Sequence, residues 1–145
     1  MQVIQILREK GRDVVAVSSE ATLSQAANLL AQRRIGALVV RDANGALAGI
    51  LSERDVVRAV AEEGVSALAR PVSAAMTRDV ATCTELDTVE ELMEMMTQGR
   101  FRHVPVLDGN KQLCGLVSIG DVVKMHIEET MREAASLRQY IAAAG

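Results

Sequence analysis

Two short runs of the chain carry residue types that could bind a small ligand, and they lie 66 residues apart. Residues 49–57 read GILSERDVV, and residues 115–123 read GLVSIGDVV. In each run an apolar stretch ends at a serine, and a helix is predicted to begin there. The open backbone N–H groups of the helix start, the serine hydroxyl and an aspartate three residues later would then lie at one spot. Such a spot can hold a phosphate and a sugar diol.

The Ser-x-x-Asp spacing has a second interpretation. Ser52 with Asp55, and Ser118 with Asp121, also have the spacing of a helix capping box, with Asp in place of Glu. On spacing alone, capping is the simpler explanation. A carboxylate, however, accepts hydrogen bonds from both hydroxyls of a cis diol. The recurrence of the whole run at matched places favours a ligand-binding role for both carboxylates.

Both runs belong to a repeat that covers most of the chain. From Asp13 onward the two halves align without a gap, at the same offset. Each half predicts a strand, a helix, a strand, a tight turn, a strand and a helix. The first strand is expected at residues 14–17, and threonine-capped helices begin after Thr22 and Thr88. The last helix of each half begins at its motif serine.

The order of these elements predicts the fold. A strand–helix–strand unit implies a parallel pair with a right-handed crossover, and the hairpin adds an antiparallel strand. Because such a sheet cannot close a core alone, we expect an α/β (α+β) fold in which two β-α-β-β-α repeats pack sheet to sheet with pseudo-twofold symmetry. The first repeat, with an N-terminal helix, is expected at 1–62 and a linker at 63–71. The second repeat is expected at 72–128 and a C-terminal helical extension at 129–145.

The composition disfavours several classes of function. The net charge is −3, and Phe101 and Tyr140 are the only aromatic residues. Both facts disfavour a nucleic-acid partner, because single strands bind in basic grooves lined with aromatic rings. No run approaches the length of a membrane span, and the N-terminus lacks a signal-peptide pattern. We expect a cytoplasmic protein without a membrane partner.

Catalytic and metal-binding patterns are also missing from the sequence. It contains no nucleophile elbow, no Walker loop and no cluster of metal ligands. We therefore expect no catalytic residue, no metal site and no enzyme activity. Cys83 and Cys114 are far apart in sequence and are expected to pack as small apolar residues. A redox switch is the alternative for this pair, although no neighbouring residue supports it.

Two strand–helix–strand–strand–helix units, each closed by Gly-h-h-Ser-x-x-Asp-h-h (h, apolar), resemble a pair of cystathionine-β-synthase (CBS) domains. Such a pair is known as a Bateman module, and this one resembles the stand-alone bacterial type. The resemblance covers residues 3–128, and the HVPV run at 103–106 resembles the second strand of the family. It implies that an adenosine-containing ligand, such as AMP, ADP, ATP, NAD(H) or S-adenosylmethionine, binds between the repeats. No obligatory cofactor is implied.

The resemblance also implies roles for residues and partners. Asp55 and Asp121 would bind the ribose hydroxyls, and Ser52 and Ser118 would bind the phosphate. Family members form flat dimers and regulate another protein, so we expect a homodimer that senses the energy state and acts on a separate partner. The apolar residues of the long last helix would pack on the second subunit. A nucleotide-independent dimeric scaffold for the partner is the alternative function.

Residues around the two motifs complete the candidate site. Adenine is expected to lie between aliphatic side chains of each half, which make a weak stacking platform and favour modest affinity. One group consists of Val14, Ile35 and Val39, and the other of Val80, Phe101 and Val104. The further candidates are Gly36, Ala37, Thr82, Pro105, Ile119 and Gly120.

The two half-sites differ in charge. Arg54 precedes the first motif aspartate, where the second run has a glycine, and Arg102 and His103 stand where the first half has Gly-Ala. Each of these cations could meet a phosphate, and exposed surface charge is the alternative. Because histidine titrates near neutrality, His103 would make binding depend on pH. These differences predict two sites of unequal affinity or with different ligands.

Overall fold

Each half of the chain forms a three-stranded sheet with helices, in the order that the repeat predicts. The computed structural model describes residues 1–144. The first half contains α1 (Val3–Lys10), β1 (Ala16–Ser18), α2 (Leu23–Arg33), β2 (Ala37–Arg41), β3 (Leu47–Ser52) and α3 (Glu53–Glu63). Two short 3-10 helices, Gly64–Ala69 and Val72–Ala74, follow. The second half contains β4 (Cys83–Thr84), α4 (Val89–Gly99), β5 (His103–Leu107), β6 (Leu113–Ser118) and α5 (Ile119–Ala144).

The strands form two sheets, with the orders β1-β2-β3 and β4-β5-β6. β1 pairs with β2 in parallel and β2 with β3 antiparallel, and the second sheet repeats this arrangement. Both hairpins close on an aspartate. Asp42 Oδ1 accepts hydrogen bonds from the backbone N–H groups of Asn44 and Ala46, and Asp108 has the same role in its turn. The predicted mixed fold of two repeats with a C-terminal helix is confirmed.

The first strand of each repeat begins later than the sequence predicts. The strand expected at residues 14–17 is found at Ala16–Ser18, and its counterpart is only Cys83–Thr84. Both strands lie at the edge of their sheets and have a single neighbouring strand. A residue therefore belongs to the strand only where it lies opposite that neighbour. Val14 therefore lies just before the sheet and is half-buried.

Each repeat has its own apolar core, and each core includes a segment from outside that repeat. In the first core, α2, β2 and β3 pack on Val72, from the start of the second repeat. In the second, α4, β5, β6 and α5 pack on Val3, Ile6 and Leu7 of α1. The predicted boundaries grouped α1 with the first repeat, but Gly11, with φ of 98°, ends the helix and lets the chain cross to β1. An exchange of segments thus ties the two repeats together.

The sheet faces that point away from these cores are buried as well. Val39 and Ile50 are 0% and 8% exposed, yet they lie opposite the first core, since side chains alternate along a strand. Pro105 is buried on the corresponding face of the second sheet. These faces are covered where the two repeats meet, as sheet-to-sheet packing requires.

α5 extends well beyond the second repeat. It contains 26 residues, of which Val122 and Met125 are buried. Ile119, Val123 and Ile127 follow at four-residue spacing and are exposed, so they form one apolar stripe along the helix. Within residues 1–144, no helix combines the length and the apolar character that a membrane crossing requires.

The exchanged helix leads to a prediction about stability. Leu7 is 1% exposed and fills the space beside Gly115, so Leu7→Ala should lower the free energy of unfolding by about 2–5 kcal/mol. Urea unfolding followed by circular dichroism measures the change. Leu86→Ala is the matched control, since Leu86 is 71% exposed, and it should change that free energy by less than about 0.5 kcal/mol. Equal effects from the two variants would contradict the packing of α1 in the second core.

Candidate functional site

Asp55 is the buried charged residue at the start of α3, with 9% of its surface exposed. Its Oδ2 accepts hydrogen bonds from Ser52 N at 2.8 Å and from Ser52 Oγ at 3.0 Å. Asp55 N in turn donates to Ser52 Oγ at 3.2 Å. The capping interpretation therefore holds for this pair. Asp55 Oδ1 faces Arg58 Nη1 at 3.5 Å, so the second oxygen is directed toward basic surroundings.

The helix starts are less open than the sequence predicts. Glu53 N donates to Gly36 O at 2.9 Å, and Ile119 N donates to Arg102 O at 2.8 Å. The third amide of each helix donates a hydrogen bond to the hydroxyl of the motif serine. The prediction of a full set of open amides is wrong, because neighbouring carbonyls and the capping serines satisfy most of the first turn. Side chains must therefore supply most of the polar contacts to an anion.

The first motif opens into a cavity of about 320 Å³ that lies between the two repeats. A volume of this size falls at the lower end of small-molecule sites. Its lining contains eight predicted residues, which are Gly36, Ser52, Arg54, Asp55, Val80, Phe101, Arg102 and His103. It also contains seven that the sequence reasoning missed, which are Ile50, Glu53, Arg58, Thr77, Asp79, Ala81 and Arg100.

The cavity joins the first motif to the second repeat, whereas the residues predicted around adenine were grouped by halves. Ile50 and Thr77 form an isolated bridge, with Ile50 N to Thr77 O at 3.0 Å and Thr77 N to Ile50 O at 2.9 Å. Gly49 permits this crossing, since an added Cβ would lie 2.4 Å from Thr77 O. The bridge leads the chain into the segment that places Val80 beside Asp55. The grouping by halves is therefore corrected, because the path of the linker brings residues of both repeats to one site.

Guanidinium groups dominate the charge around the cavity. Arg58 lies one helical turn after Arg54, a spacing that could have identified it in the sequence. Arg100 ends α4 in the left-handed conformation, with φ of 56°, and so turns out of the helix. The four lining arginines are Arg54, Arg58, Arg100 and Arg102, and the lining carboxylates are Glu53, Asp55 and Asp79. The net excess is basic, which suits an anionic ligand.

His103 lies where the two repeats come together. A Cβ added at Gly36 would lie 3.6 Å from His103 Cε1. Burial lowers the pKa of His103 and nearby Lys10 lowers it further, while Asp121 and Glu53 act in the opposite direction. The imidazole is therefore neutral near pH 7. A phosphate bound beside it would favour the protonated form.

The second motif has a different environment. Asp121 Oδ2 accepts hydrogen bonds from Ser118 N at 2.9 Å and from Lys10 Nζ at 2.6 Å. Burial by itself would raise the pKa of Asp121, but the hydrogen bonds from Lys10 and Ser118 outweigh it and lower this pKa below its ordinary value. Lys10 also donates to Leu116 O at 2.9 Å. No feature of the repeat indicated Lys10, since its contact depends on where α1 packs.

The other predicted residues lie away from the 320 Å³ cavity. Val104 is fully buried in the second core, because the alternation along β5 directs it away from the cleft. Ala37 and Pro105 are buried in the faces between the sheets. Val14 and Thr82 are half-buried ahead of their strands.

Two surface grooves contain the remaining candidates. Ile35, with Gly36, lines a groove between α2 and α3. Ile119 and Gly120 line an open groove along α5, together with Arg102. Asp55 lines neither groove, so Ile35, Ile119 and Gly120 are not brought to the cavity beside it.

The two cysteines are free thiols. Burial raises the pKa of Cys83 to about 12, and burial together with Glu85 raises the pKa of Cys114. Both shifts disfavour the thiolate, which is the reactive form. The packing interpretation therefore suits both cysteines better than a redox switch. Across residues 1–144, no group of His, Cys, Asp and Glu side chains is arranged to hold a metal ion.

Two copies of one sheet-and-helix unit, with a Ser-x-x-Asp pair at each motif helix and a cavity between the copies, define a module of paired repeats. The family model of the CBS domain matches residues 3–62 and 72–128. The chain therefore belongs to the CBS-domain family, as the resemblance of its motifs predicts.

Curated relatives share about a third of their residues with the chain. It is 34% identical to an uncharacterized 17.7 kDa protein of Acidianus ambivalens, over 77% of the chain and 66% of that protein. It is also 34% identical to the mitochondrial CBS domain-containing protein CBSX3 of Arabidopsis thaliana, over 94% of the chain and 69% of that protein. The chain thus spans about two thirds of the length of these relatives.

Solved structures have the same architecture. The CBS-domain containing protein ATU1752 from Agrobacterium tumefaciens is 50% identical, with a TM-score of 0.82 over 85% of this chain and 91% of that one. The CBS domain protein PAE2072 from Pyrobaculum aerophilum, solved in complex with AMP, is 29% identical, with a TM-score of 0.75 over 83% and 89%. The CBS domain pair of MJ0100, solved with 5-methylthioadenosine and S-adenosyl-L-methionine, is 25% identical, with a TM-score of 0.78 over 89% and 98%.

The buried position of His103 leads to a prediction about pH. Because folding lowers the pKa of His103, its contribution to stability is present above the ordinary value of 6.5 and is lost as the pH falls through 6.5 toward the folded-state pKa. The free energy of unfolding, measured by urea titration at several pH values, should therefore fall between about pH 7 and pH 5. His103→Gln should reduce that slope. His126→Gln, on the exposed face of α5, should keep it, and identical slopes in all three proteins would contradict the assignment.

Proposed function

We propose that this chain is a regulatory module that binds an adenine nucleotide in the cavity beside Asp55 and thereby regulates a separate partner protein. The observation that carries the proposal is the cavity between the repeats, which places a buried carboxylate among four arginines. A nucleotide needs both features, since its ribose donates hydrogen bonds and its phosphates are anionic. The proposal assigns the chain a binding role and no catalytic role.

The proposed contacts follow from the lining of the cavity. Asp55 Oδ1 would accept hydrogen bonds from the ribose hydroxyls, while Oδ2 keeps its bonds to Ser52. The lining arginines would bind phosphate oxygens through charge-assisted hydrogen bonds, for which the planar guanidinium is well suited. Adenine would lie against Val80, Phe101 and Ile50, the larger apolar side chains of the lining. With a single aromatic ring available, the affinity should be modest.

The bound relatives support adenosine as the common part of the ligand. PAE2072 is solved with AMP, and MJ0100 with 5-methylthioadenosine and S-adenosyl-L-methionine. The basic lining of this cavity favours a ligand with phosphates over the cationic sulfonium of S-adenosylmethionine. We therefore propose AMP, ADP, ATP or NAD(H) as the ligand class.

Regulation would follow from the position of the cavity. A nucleotide that contacts both repeats stabilises one relative arrangement of them, to the extent that it binds that arrangement more tightly than others. The exposed stripe of Ile119, Val123 and Ile127 on α5 is the proposed surface for homodimer formation. The same stripe favours the second candidate function, a dimeric scaffold that holds a partner without nucleotide. A cytoplasmic location stays a prediction from the sequence.

Replacing the ribose ligand tests the proposal. Asp55→Asn keeps a side-chain oxygen that can accept the hydrogen bond from Ser52 N but removes the charge, so the Kd for ADP should rise about tenfold to a hundredfold, since each charge-assisted bond contributes about 1.5–3 kcal/mol. Isothermal titration calorimetry measures this change. Glu62→Gln makes the same charge change on the exposed part of α3 and should leave the Kd unaltered. An unchanged Kd in Asp55→Asn would rule out the assigned role of Asp55.

Ligand charge gives a second test. Saturating ADP should raise the thermal unfolding midpoint, because binding to the folded state alone stabilises it. S-adenosylmethionine at the same concentration should raise it less, since the lining arginines repel a cation. Arg58→Gln should reduce the difference between the two ligands. A larger shift with S-adenosylmethionine than with ADP would contradict the phosphate assignment, and no shift with either would favour the scaffold.

A further inference from the structure

We infer that Lys10 closes the second half-site, so that the chain binds one nucleotide at Asp55 and a second only where Lys10 is displaced from Asp121. The inference rests on the proposed function. The two motifs have the same Gly-h-h-Ser-x-x-Asp pattern, and they differ in what lies against the aspartate. Asp55 borders the cavity between the repeats and faces the exposed Arg58 at 3.5 Å, whereas Asp121 is bonded to the ammonium group of Lys10 at 2.6 Å.

The lysine lies in the space that a ligand would need. Lys10 Nζ is 2.6 Å from Asp121 Oδ2 and 2.9 Å from Leu116 O. Asp121 and Leu116 stand 66 residues after Asp55 and Ile50, and both of those residues line the cavity of the first half-site. The ammonium group therefore lies against the counterpart of that cavity, bonded to the carboxylate that would bind ribose.

The two half-sites differ in the group that bonds the strand carbonyl beside the motif. Leu7 and Met76 are the equivalent residues of the two segments, since each packs beside a motif glycine, Gly115 or Gly49. Lys10 lies three residues beyond Leu7, at the end of α1. At the first half-site, Ile50 O accepts a hydrogen bond from the backbone of Thr77. At the second half-site, the N–H of Gly11 donates a hydrogen bond to Leu7 O at the end of α1. The carbonyl of Leu116 is bonded by Lys10 in place of a backbone amide.

The position of Lys10 is fixed by a buried helix. Lys10 is the last residue of α1, and the apolar face of that helix lies in the second core. Glu9, the residue before Lys10, forms an ion pair with Lys124 of α5 at 3.3 Å. Because the helix is anchored, only the side chain of Lys10 has to be ordered when it pairs. Occupancy of the second half-site is thereby coupled to the docking of α1.

The pair should weaken binding at the second half-site without abolishing it. The side chains of Lys10 and Asp121 are 37% and 23% exposed, and partly exposed ion pairs are broken at low cost. A nucleotide at the second half-site must nevertheless displace the lysine and compete for a neutralised carboxylate. We expect its Kd to be at least about tenfold above that of the first half-site, as loss of roughly one charged hydrogen bond implies.

The experiment is a calorimetric titration of the full chain with ADP. The unaltered protein should bind one equivalent, and Lys10→Met, which removes the ammonium group but keeps an unbranched side chain, should bind two with Kd values within about tenfold of each other. Lys10→Met combined with Asp121→Asn should return to one equivalent. Lys10→Met combined with Asp55→Asn should keep one, now at the second half-site. Lys124→Met is the matched control, since it removes the other lysine that links α1 and α5, and it should bind one equivalent.

Each result separates this inference from the proposed function. Two equal sites in the unaltered protein would overturn the closure by Lys10 and leave the proposed function standing. A single site in Lys10→Met, or weaker binding in it, would overturn the closure as well, because Lys10 would then be neutral or a ligand. Absence of heat with every variant would overturn the proposed function, and the inference with it.

Discussion

The crossing of the chain between the repeats is the constraint on which the site depends. α1 packs in the second core and Val72 in the first, so neither sheet covers its apolar face with its own repeat alone. Because a three-stranded sheet of this size is not stable by itself, the shared segments make the two repeats one unit. The cavity between them is therefore fixed by the same contacts that stabilise the fold, and a ligand there would meet preformed walls.

Asp55 combines a structural role with the proposed binding role. One carboxylate oxygen is committed to the start of α3, and those bonds fix the orientation of the other oxygen toward the basic lining. A carboxylate held in place in this way loses little conformational freedom when it binds a diol. The two interpretations of the Ser-x-x-Asp spacing are therefore compatible, since the capping bonds position the group that would bind.

The repeat predicted most of the fold, because strands, capped helices and hairpins depend on nearby residues. The period of the pattern places Thr22 and the two motif serines at helix starts, and the structure has them there. The sequence could not indicate that Asp55 would face Phe101, since that contact depends on the linker crossing at Thr77. Lys10 was missed for the same reason. The inclusion of Val104 among the site residues was a different kind of error. Side chains alternate along the HVPV run, so the sequence already indicates that Val104 and Pro105 lie on opposite faces of the strand.

The exchange of segments also has a consequence for biosynthesis. α1 is translated before the surface that covers it, which is built from α4, β5, β6 and α5 of the second repeat. A helix of eight residues is not stable in water without a partner, so this segment stays unstructured until the second repeat has been synthesised. The first repeat likewise lacks Val72 until the linker has emerged. Maturation of the two halves is therefore a late, joint event and not the successive completion of independent domains.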